Sequence, residues 1–343
     1  MKRLLNTLYV TGTNRYLSLD GENVVVLEEQ EEIGRVPLHN LQSIVTFGYT
    51  GASPALMGAC AERNIDLTFM SGNGRFLARV TGEVKGNVTL RKQQYRVSEN
   101  KEESIGIAKN FIFGKIYNAR WILERAARDY PLRLDADKLK EKSAFLYHSL
   151  QEIRACENAS KLLGLEGEAA SVYFSVFDQL ILRQKESFFF KERNRRPPLD
   201  NVNAMLSFAY SLLAGMCGSA LEAVGLDPYV GFFHTDRPGR ISLALDMMEE
   251  LRGVMADRFV LTMINKRIIK KENFIQKENG AVILDDTGRK LFLSAWQERK
   301  QDIIKHPFLN EKIEWGMVPH AQAMLLARYL RRDLDEYPPF LWK

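Results

Sequence analysis

The amino-acid sequence predicts an α+β protein, with a small β-rich domain over residues 1–85 and a larger all-α domain over residues 86–343. Three observations predict it. Short β-branched or alternating runs separated by turn residues fill the first part. The hydrophobic period changes from two to helical spacing across Gly82 to Asn87, the expected boundary. A length of 343 residues with 45% hydrophobic and 27% charged content is enough to bury two cores.

The strands read, in order, as Leu8 to Val10, Tyr16 to Leu19, Asn23 to Leu27, Gly34 to Pro37, Ser43 to Phe47, Asp66 to Met70 and Arg75 to Val80. Asp20-Gly21 between the second and third is a strong hairpin turn. One helix interrupts them: Ser53 caps its start, Pro54 takes the first helical position, and Ala55 to Arg63 continues it. Beyond the boundary, helices are expected near Glu103 to Asp129, Asp135 to Leu163, Glu168 to Arg183, Asn201 to Val224, Ile241 to Ile264 and Val318 to Leu334. Asn279-Gly280 marks a hairpin over Phe274 to Leu284. The aromatic tail Tyr337 to Lys343 contains Pro338-Pro339 and cannot be regular helix throughout; packing on its own domain is the reading taken over docking on a partner.

Composition narrows the function classes. No stretch approaches the ~20 apolar residues that cross a bilayer, and Met1 to Leu5 is followed too soon by Asn6 and Thr7 for a secretory segment, so a cytoplasmic protein with no membrane contact is expected. Cys60, Cys156 and Cys217 stand far apart and read as core thiols rather than a disulfide framework or a zinc or iron-sulfur site. A net charge of +5 is mild for this length. Its distribution says more. Residues 1–100 hold 11 Lys/Arg against 10 Asp/Glu, whereas Arg183 to Arg196 carries six basic and two acidic side chains, and a phosphate backbone responds to such local concentration.

Four features carry possible chemistry, each with two readings. Glu166, in Gly164-Leu165-Glu166-Gly167, is a metal carboxylate or a helix-start acid favoured by the macrodipole, with one helix ending at Gly164 and the next beginning near Glu168. His234 follows Phe232-Phe233 and precedes a Pro238-Gly239 turn; it is a ligand on a braced loop or a satisfied structural histidine. On the next helix, Ser242, Asp246, Glu249, Gly253 and Asp257 share a stripe, where Asp246 and Glu249 at i,i+3 converge on one ion or belong to a solvated face. In the basic segment, Arg183, Lys185, Lys191, Arg193, Arg195 and Arg196 with Phe188, Phe189 and Phe190 either grip phosphates and stack on bases or form a solvated loop whose rings plug the core. Asp200 or Asn201 then caps the helix carrying Asn203, whose amide would face the same space, and Arg237 sits in the turn after His234.

The order of these elements, from β-rich start through Gly-x-Glu-Gly, the basic loop ending Arg196-Pro197-Pro198, and Gly231-Phe232-Phe233-His234 to Asp246-x-x-Glu249, resembles the CRISPR adaptation integrase, a metal-dependent DNA endonuclease family that inserts new spacers. The resemblance covers essentially the whole chain. Lys2 to Val10 and Tyr16 to Glu22 look most like the subtype I-C branch. By position, the family's metal ligands fall on Glu166, His234 and Glu249, with Asp246 in the accessory acidic position and Mg²⁺ or Mn²⁺ as the ion.

The resemblance further implies a sandwich-like N-terminal domain mediating homodimerisation, a helical catalytic domain, and DNA partners: a duplex with 3′ overhangs and the CRISPR repeat. Protein partners implied are a small ferredoxin-like adaptation subunit and a RecB-like iron-sulfur nuclease. The reaction implied is transesterification by a 3′-hydroxyl at repeat ends. A non-catalytic DNA-binding scaffold is the alternative, and a generic metallo-phosphodiesterase a third reading.

Overall fold

The computed structural model describes residues 7–12, 14–41, 43–48, 50–71, 76–80, 82 and 87–343. The stretch 2–6, Arg75 at the start of an expected strand, and most of the expected boundary between Gly82 and Asn87 lie outside them. The chain divides into two compact units. Ile283–Asp302 belongs with the part before the boundary, whereas residues up to Val282 and Ile303–Lys343 form the second unit. A single boundary therefore misplaces the return segment.

In the first unit, β1 (Thr7–Thr11), β2 (Arg15–Asp20), β3 (Asn23–Glu28), β4 (Glu31–Pro37), β5 (Ser43–Phe47), β6 (Gly51–Ala52), β7 (Asp66–Met70) and β8 (Phe76–Val80) form two four-stranded sheets. One has the order β1-β5-β7-β8, the other β4-β3-β2-β6. Strands β2 and β3 pair antiparallel from Arg15↔Glu28 to Asp20↔Asn23, closing at the Asp20-Gly21 turn, where Gly21 has φ +57°. Helix α1 (Pro54–Glu62) starts as its sequence dictates, with the Ser53 hydroxyl accepting from the Leu56 amide and Pro54 in the first turn. Alternate inward residues of both sheets, including Leu17, Val24, Ile44 and Leu67, join Leu56 and Cys60 of α1 in one apolar core.

The second unit is mostly helical: α2 (Val88–Glu99), α3 (Lys101–Asp129), α4 (Ala136–Arg154), α5 (Ala159–Ser175), α6 (Asn201–Val224), α7 (Ser242–Leu251) and α8 (Arg258–Asn265), with a π-helical turn at Arg252–Asp257 joining the last two. Three readings of the sequence are corrected here. The helix expected from Asp135 to Leu163 is two helices, because Asn158 caps a new start by accepting from the Lys161 amide. Gly164 ends nothing: α5 runs through it, so Glu166 lies mid-helix rather than at a helix start. Helix α6 is long and apolar enough to pass for a membrane span by composition, contrary to the sequence reading, yet 61% of its most apolar window is buried inside the protein, as a core helix's would be.

A short pair, β9 (Phe274–Gln276) and β10 (Val282–Leu284), realises the Asn279-Gly280 hairpin. Helix α9 (Asp286–Gln301), not expected from the sequence, follows in the first unit; Phe292, Leu293 and Trp296 are buried and the Lys300 ammonium donates to Thr7 Oγ1 of β1 at 3.0 Å. Strands β11 (Ile303–Lys305) and β12 (Lys312–Glu314) and helix α10 (Val318–Leu330) complete the second unit, which is therefore not wholly α. The three cysteines are buried and free.

The tail packs on its own unit. Tyr337 and Phe340 are fully buried. The Tyr337 hydroxyl donates to Glu250 Oε1 and the Phe340 amide to Glu250 Oε2 at 2.7 Å, while Asn118 of α3 donates to the Phe340 carbonyl at 2.7 Å and accepts from the Trp342 amide at 2.8 Å. Burial pushes the Glu250 carboxyl up to about 7, against the lowering effect of Tyr337, Gln322 and the Phe340 amide.

Candidate metal centre

The His234 loop is held by a single carboxylate. Asp246 on α7 is fully buried and accepts from three successive backbone amides: Phe232 at 2.7 Å, Phe233 at 2.9 Å and His234 at 2.9 Å. Its Oδ1 also bonds His234 Nδ1 at 2.6 Å. An ionised carboxylate only accepts, so Nδ1 carries the hydrogen and Nε2 is the nitrogen left to face a cation. Gly231 makes this closeness possible, since a Cβ there would lie 2.7 Å from the His234 carbonyl and 2.9 Å from Asp246 Oδ2.

One turn along α7, Glu249 faces the same space. His234 Nε2 lies 4.0 Å from Glu249 Oε1, and the Arg252 guanidinium lies 2.8 Å from that oxygen. Glu166 enters from α5, where a Cβ on Gly164 or Gly167 would meet nothing within 4 Å, so the glycines leave open room beside the carboxylate. Between the acids sits Lys115 of α3, whose ammonium contacts Glu166 Oε1 and lies 2.7 Å from Glu249 Oε2. Burial by itself would raise the Glu249 carboxyl; Arg252 and Lys115, with His234, instead hold it down at about 2.

Among the described residues, no three His, Cys, Asp or Glu side chains stand close enough to form a ready ligand cluster. A positive charge, the Lys115 ammonium, stands between the two carboxylates. The residue types nevertheless suit a hard divalent ion: two carboxylates share the Lys115 ammonium, and one imidazole nitrogen lies 4.0 Å from the second of them. A small cavity of about 50 Å³ opens beside it, lined by Lys115, Glu166, Tyr173, Arg195, Tyr210 and Arg252.

The whole acidic stripe is enclosed, which removes the solvated-face reading: Ser242, Asp246, Glu249 and Asp257 are all buried. Asp246 and Glu249 do not converge on one point, because Asp246 is consumed by the loop. The π-turn takes Asp257 elsewhere, to the hydroxyls of Tyr210 at 2.6 Å and Tyr173 at 3.2 Å.

The profile of the family described as CRISPR associated protein Cas1 matches residues 8–298. The chain belongs to the Cas1 family. It is 48% identical over 343 residues to the CRISPR-associated endonuclease Cas1 1 of Chlorobaculum tepidum and 52% identical over 347 residues to the CRISPR-associated endonuclease Cas1 2 of Rhodospirillum rubrum, covering 100% of each chain in both cases. A Cas4/Cas1 fusion of Geobacter sulfurreducens is 35% identical over 340 residues, which cover 97% of this chain and 60% of the fusion. Among solved structures, a casposase bound to an integration product superposes with a TM-score of 0.84 at 24% identity, covering 98% of this chain and 94% of that one. A chain of a Cas6-RT-Cas1–Cas2 complex gives 0.83 at 22% identity, covering 100% of this chain and 36% of that one. At these identities the two structures speak for the fold.

Within this Cas1 fold the predicted basic loop is divided. Arg183, Lys191, Arg195 and Arg196 are exposed, as is Arg237 in the turn after His234, and only Arg195 among them lines the cavity beside Glu166. Lys185 is exposed but paired with Asp178 at 2.6 Å. Arg193 turns inward, donating to Asn203 Oδ1 at 2.6 Å and Ser207 Oγ at 3.1 Å beneath the Tyr210 ring, and burial lowers its guanidinium below the usual range. Asn203 is fully buried, accepting from Arg193 and donating to the Glu192 carbonyl, so it braces the loop instead of facing a ligand. Phe188 and Phe190 plug the core, while Phe189 is 42% exposed. Sequence reasoning missed Lys115 and Arg252. For Lys115 a signal existed: it is a lone cation inside the apolar run Phe111-Ile112-Phe113-Gly114-Lys115-Ile116, and Lys is seldom enclosed without a partner.

Proposed function

We propose that this Cas1 chain is a divalent-metal-dependent DNA endonuclease and integrase of CRISPR adaptation, joining the 3′-hydroxyl of a short foreign duplex to a phosphodiester at a repeat end. The observation that supports the reading is that Glu166 and Glu249, from two separate helices, share one cation, the Lys115 ammonium, while His234 Nε2 lies 4.0 Å from Glu249 Oε1. Glu166, His234 and Glu249 would hold Mg²⁺ or Mn²⁺, which supplies polarisation of the phosphoryl oxygen and favours the attacking alkoxide. Asp246 supports the third ligand indirectly, fixing the loop and presenting His234 Nε2.

The DNA contacts belong to the exposed cations. Arg195 meets a phosphate at the cavity mouth, with Arg183, Lys191, Arg196 and Arg237 tracking the strand and Phe189 offering a face for stacking. In the reaction one phosphodiester replaces another: the bond from phosphorus to the 3′ oxygen of the nucleotide preceding the repeat end breaks as the new one forms, and the proton lost by the attacking hydroxyl returns to the leaving oxygen. No nucleotide hydrolysis is needed. The N-terminal unit serves homodimerisation, and the chain works in the cytoplasm with a small ferredoxin-like subunit and a RecB-like iron-sulfur nuclease. Support for the partners comes from the Cas2-containing complex and the Cas4 fusion, and for a place near subtype I-C from Lys2 to Val10 and Tyr16 to Glu22.

A supercoiled plasmid bearing a CRISPR array, a labelled duplex with 3′ overhangs and the purified chain, with and without the small subunit, test this. With Mn²⁺ the label should become joined to the plasmid at repeat ends, and EDTA should prevent it. Nicking without joining would favour a generic phosphodiesterase, and salt-sensitive binding without any product a scaffold; either outcome overturns the proposal.

A further inference from the structure

We propose that Lys115 closes the metal position until DNA arrives, so that the divalent ion and the DNA bind cooperatively; this rests on the metal-centre reading above. The backbone of Lys115 is fixed by its neighbour. Gly114 lets α3 approach α7 so closely that a Cβ there would lie 2.8 Å from Glu250 Cβ and 3.2 Å from Pro339 Cβ. From that anchor the side chain, 15% exposed, runs between Glu166 and Glu249 and contacts both.

Charge then decides what the arrangement does. Two carboxylates, Glu166 and Glu249, face two cations, Lys115 and Arg252, so these four side chains balance one another as they stand. A divalent ion placed among the same oxygens would leave a surplus of two positive charges, with the ammonium competing for the very atoms the ion needs. A phosphodiester entering the cavity carries one negative charge, so it offsets half of that surplus and gives the ammonium another partner. Of the two cations, Arg252 is held in place, paired at 2.8 Å to Glu249 and lying 5.1 Å from the Tyr210 ring centre. Lys115 has a flexible four-carbon stem and rotatable donors, and its side chain lines the cavity that Arg195 also lines. Lys115 therefore swings from the carboxylates to the incoming phosphate as the ion takes its place. By linkage, DNA tightens ion binding by the same factor as the ion tightens DNA binding.

The experiment is Mn²⁺ titration of the full chain, followed by the electron paramagnetic resonance of free Mn²⁺, with and without a short duplex carrying 3′-dideoxy ends. In the unmodified chain the duplex should raise Mn²⁺ affinity by at least about fivefold. Lys115→Met should bind Mn²⁺ at least about tenfold more tightly without DNA and gain less than about twofold from it, whereas Lys115→Arg, which keeps the charge, should stay weak without DNA. Lys115→Met affinity equal to or weaker than that of the unmodified chain overturns the proposal. Because Lys115→Met leaves two acids facing each other, its melting temperature should fall without ion and recover with Mn²⁺; a fall that Mn²⁺ does not reverse also overturns it. Glu166→Gln separates the two readings. If Glu166→Gln binds Mn²⁺ like the unmodified chain, the metal centre is wrong; if it loses binding while Lys115→Met is unchanged, the centre stands and the role of Lys115 falls.

Discussion

Glu249→Gln lowers Mn²⁺-dependent strand transfer on the order of a thousandfold, and raising the Mn²⁺ concentration does not restore it. The magnitude follows from removing an anionic ligand whose ion supplies several kcal/mol of transition-state stabilisation. The same change leaves Lys115 and Arg252 enclosed beside a neutral amide, costing about 3–5 kcal/mol of stability, so circular dichroism at the assay temperature must accompany the rate. Asp246→Asn behaves differently. An amide nitrogen cannot accept from the backbone amides that Asp246 now holds, so the His234 loop loosens and ion affinity falls about 10- to 100-fold, a loss that excess Mn²⁺ partly recovers. If instead Asp246→Asn is beyond rescue and Glu249→Gln retains activity, the two acids have exchanged roles.

Removing Tyr337 to Lys343 destabilises the second unit by more than about 5 kcal/mol, a large part of the stability of an ordinary domain. Two fully buried aromatic side chains are lost. Glu250 loses the Tyr337 hydroxyl and the Phe340 amide, keeping the Gln322 amide at 3.0 Å, and Asn118 loses its acceptor and its donor in the tail. Glu250 adjoins Glu249 on α7, so loosening one face of the helix displaces the ligand on the other. Urea denaturation checks the loss, with Tyr337→Phe as the milder case at about 1–2 kcal/mol. An unchanged midpoint for the truncated chain would mean that the tail does not brace α7.

Much of the fold could be read locally, because its signals are local. The strands of the first unit alternate or carry β-branched runs, Asp20-Gly21 closes a hairpin, and Asp200 and Gly225 bracket α6 at the expected residues. Where the reading failed, a tertiary contact outweighed the local signal. Gly164 and Gly167 each cost a helix about 1 kcal/mol, but the Asn158 cap and burial of Leu162, Leu165, Ala169 and Tyr173 carry α5 through them. Helix α9 belongs with β1, nearly three hundred residues earlier in the chain, and no periodicity announces that return. The acidic residues of α7 read equally as a solvated face or a metal stripe, because sequence spacing shows which residues share a side of a helix, not what lies opposite.

The site was legible as a set of residue types and an order, and illegible as a geometry. Glu166, His234, Asp246 and Glu249 can be singled out in the sequence as candidates, with the ligand roles of Glu166, His234 and Glu249 assigned only through the family resemblance. What separates Asp246 from Glu249 is three backbone amides, and no sequence pattern points to backbone amides. Lys115 escaped because its nearer carboxylate partner is 51 residues away.

On the proposed reading, Glu166, His234 and Glu249 serve one ion at which DNA strands are joined. Strand transfer by Glu166→Ala at saturating Mn²⁺, measured beside its affinity for the same overhang-bearing duplex, tests it most directly. Product should fall on the order of a thousandfold with DNA affinity retained; full strand transfer by Glu166→Ala would contradict a shared ion.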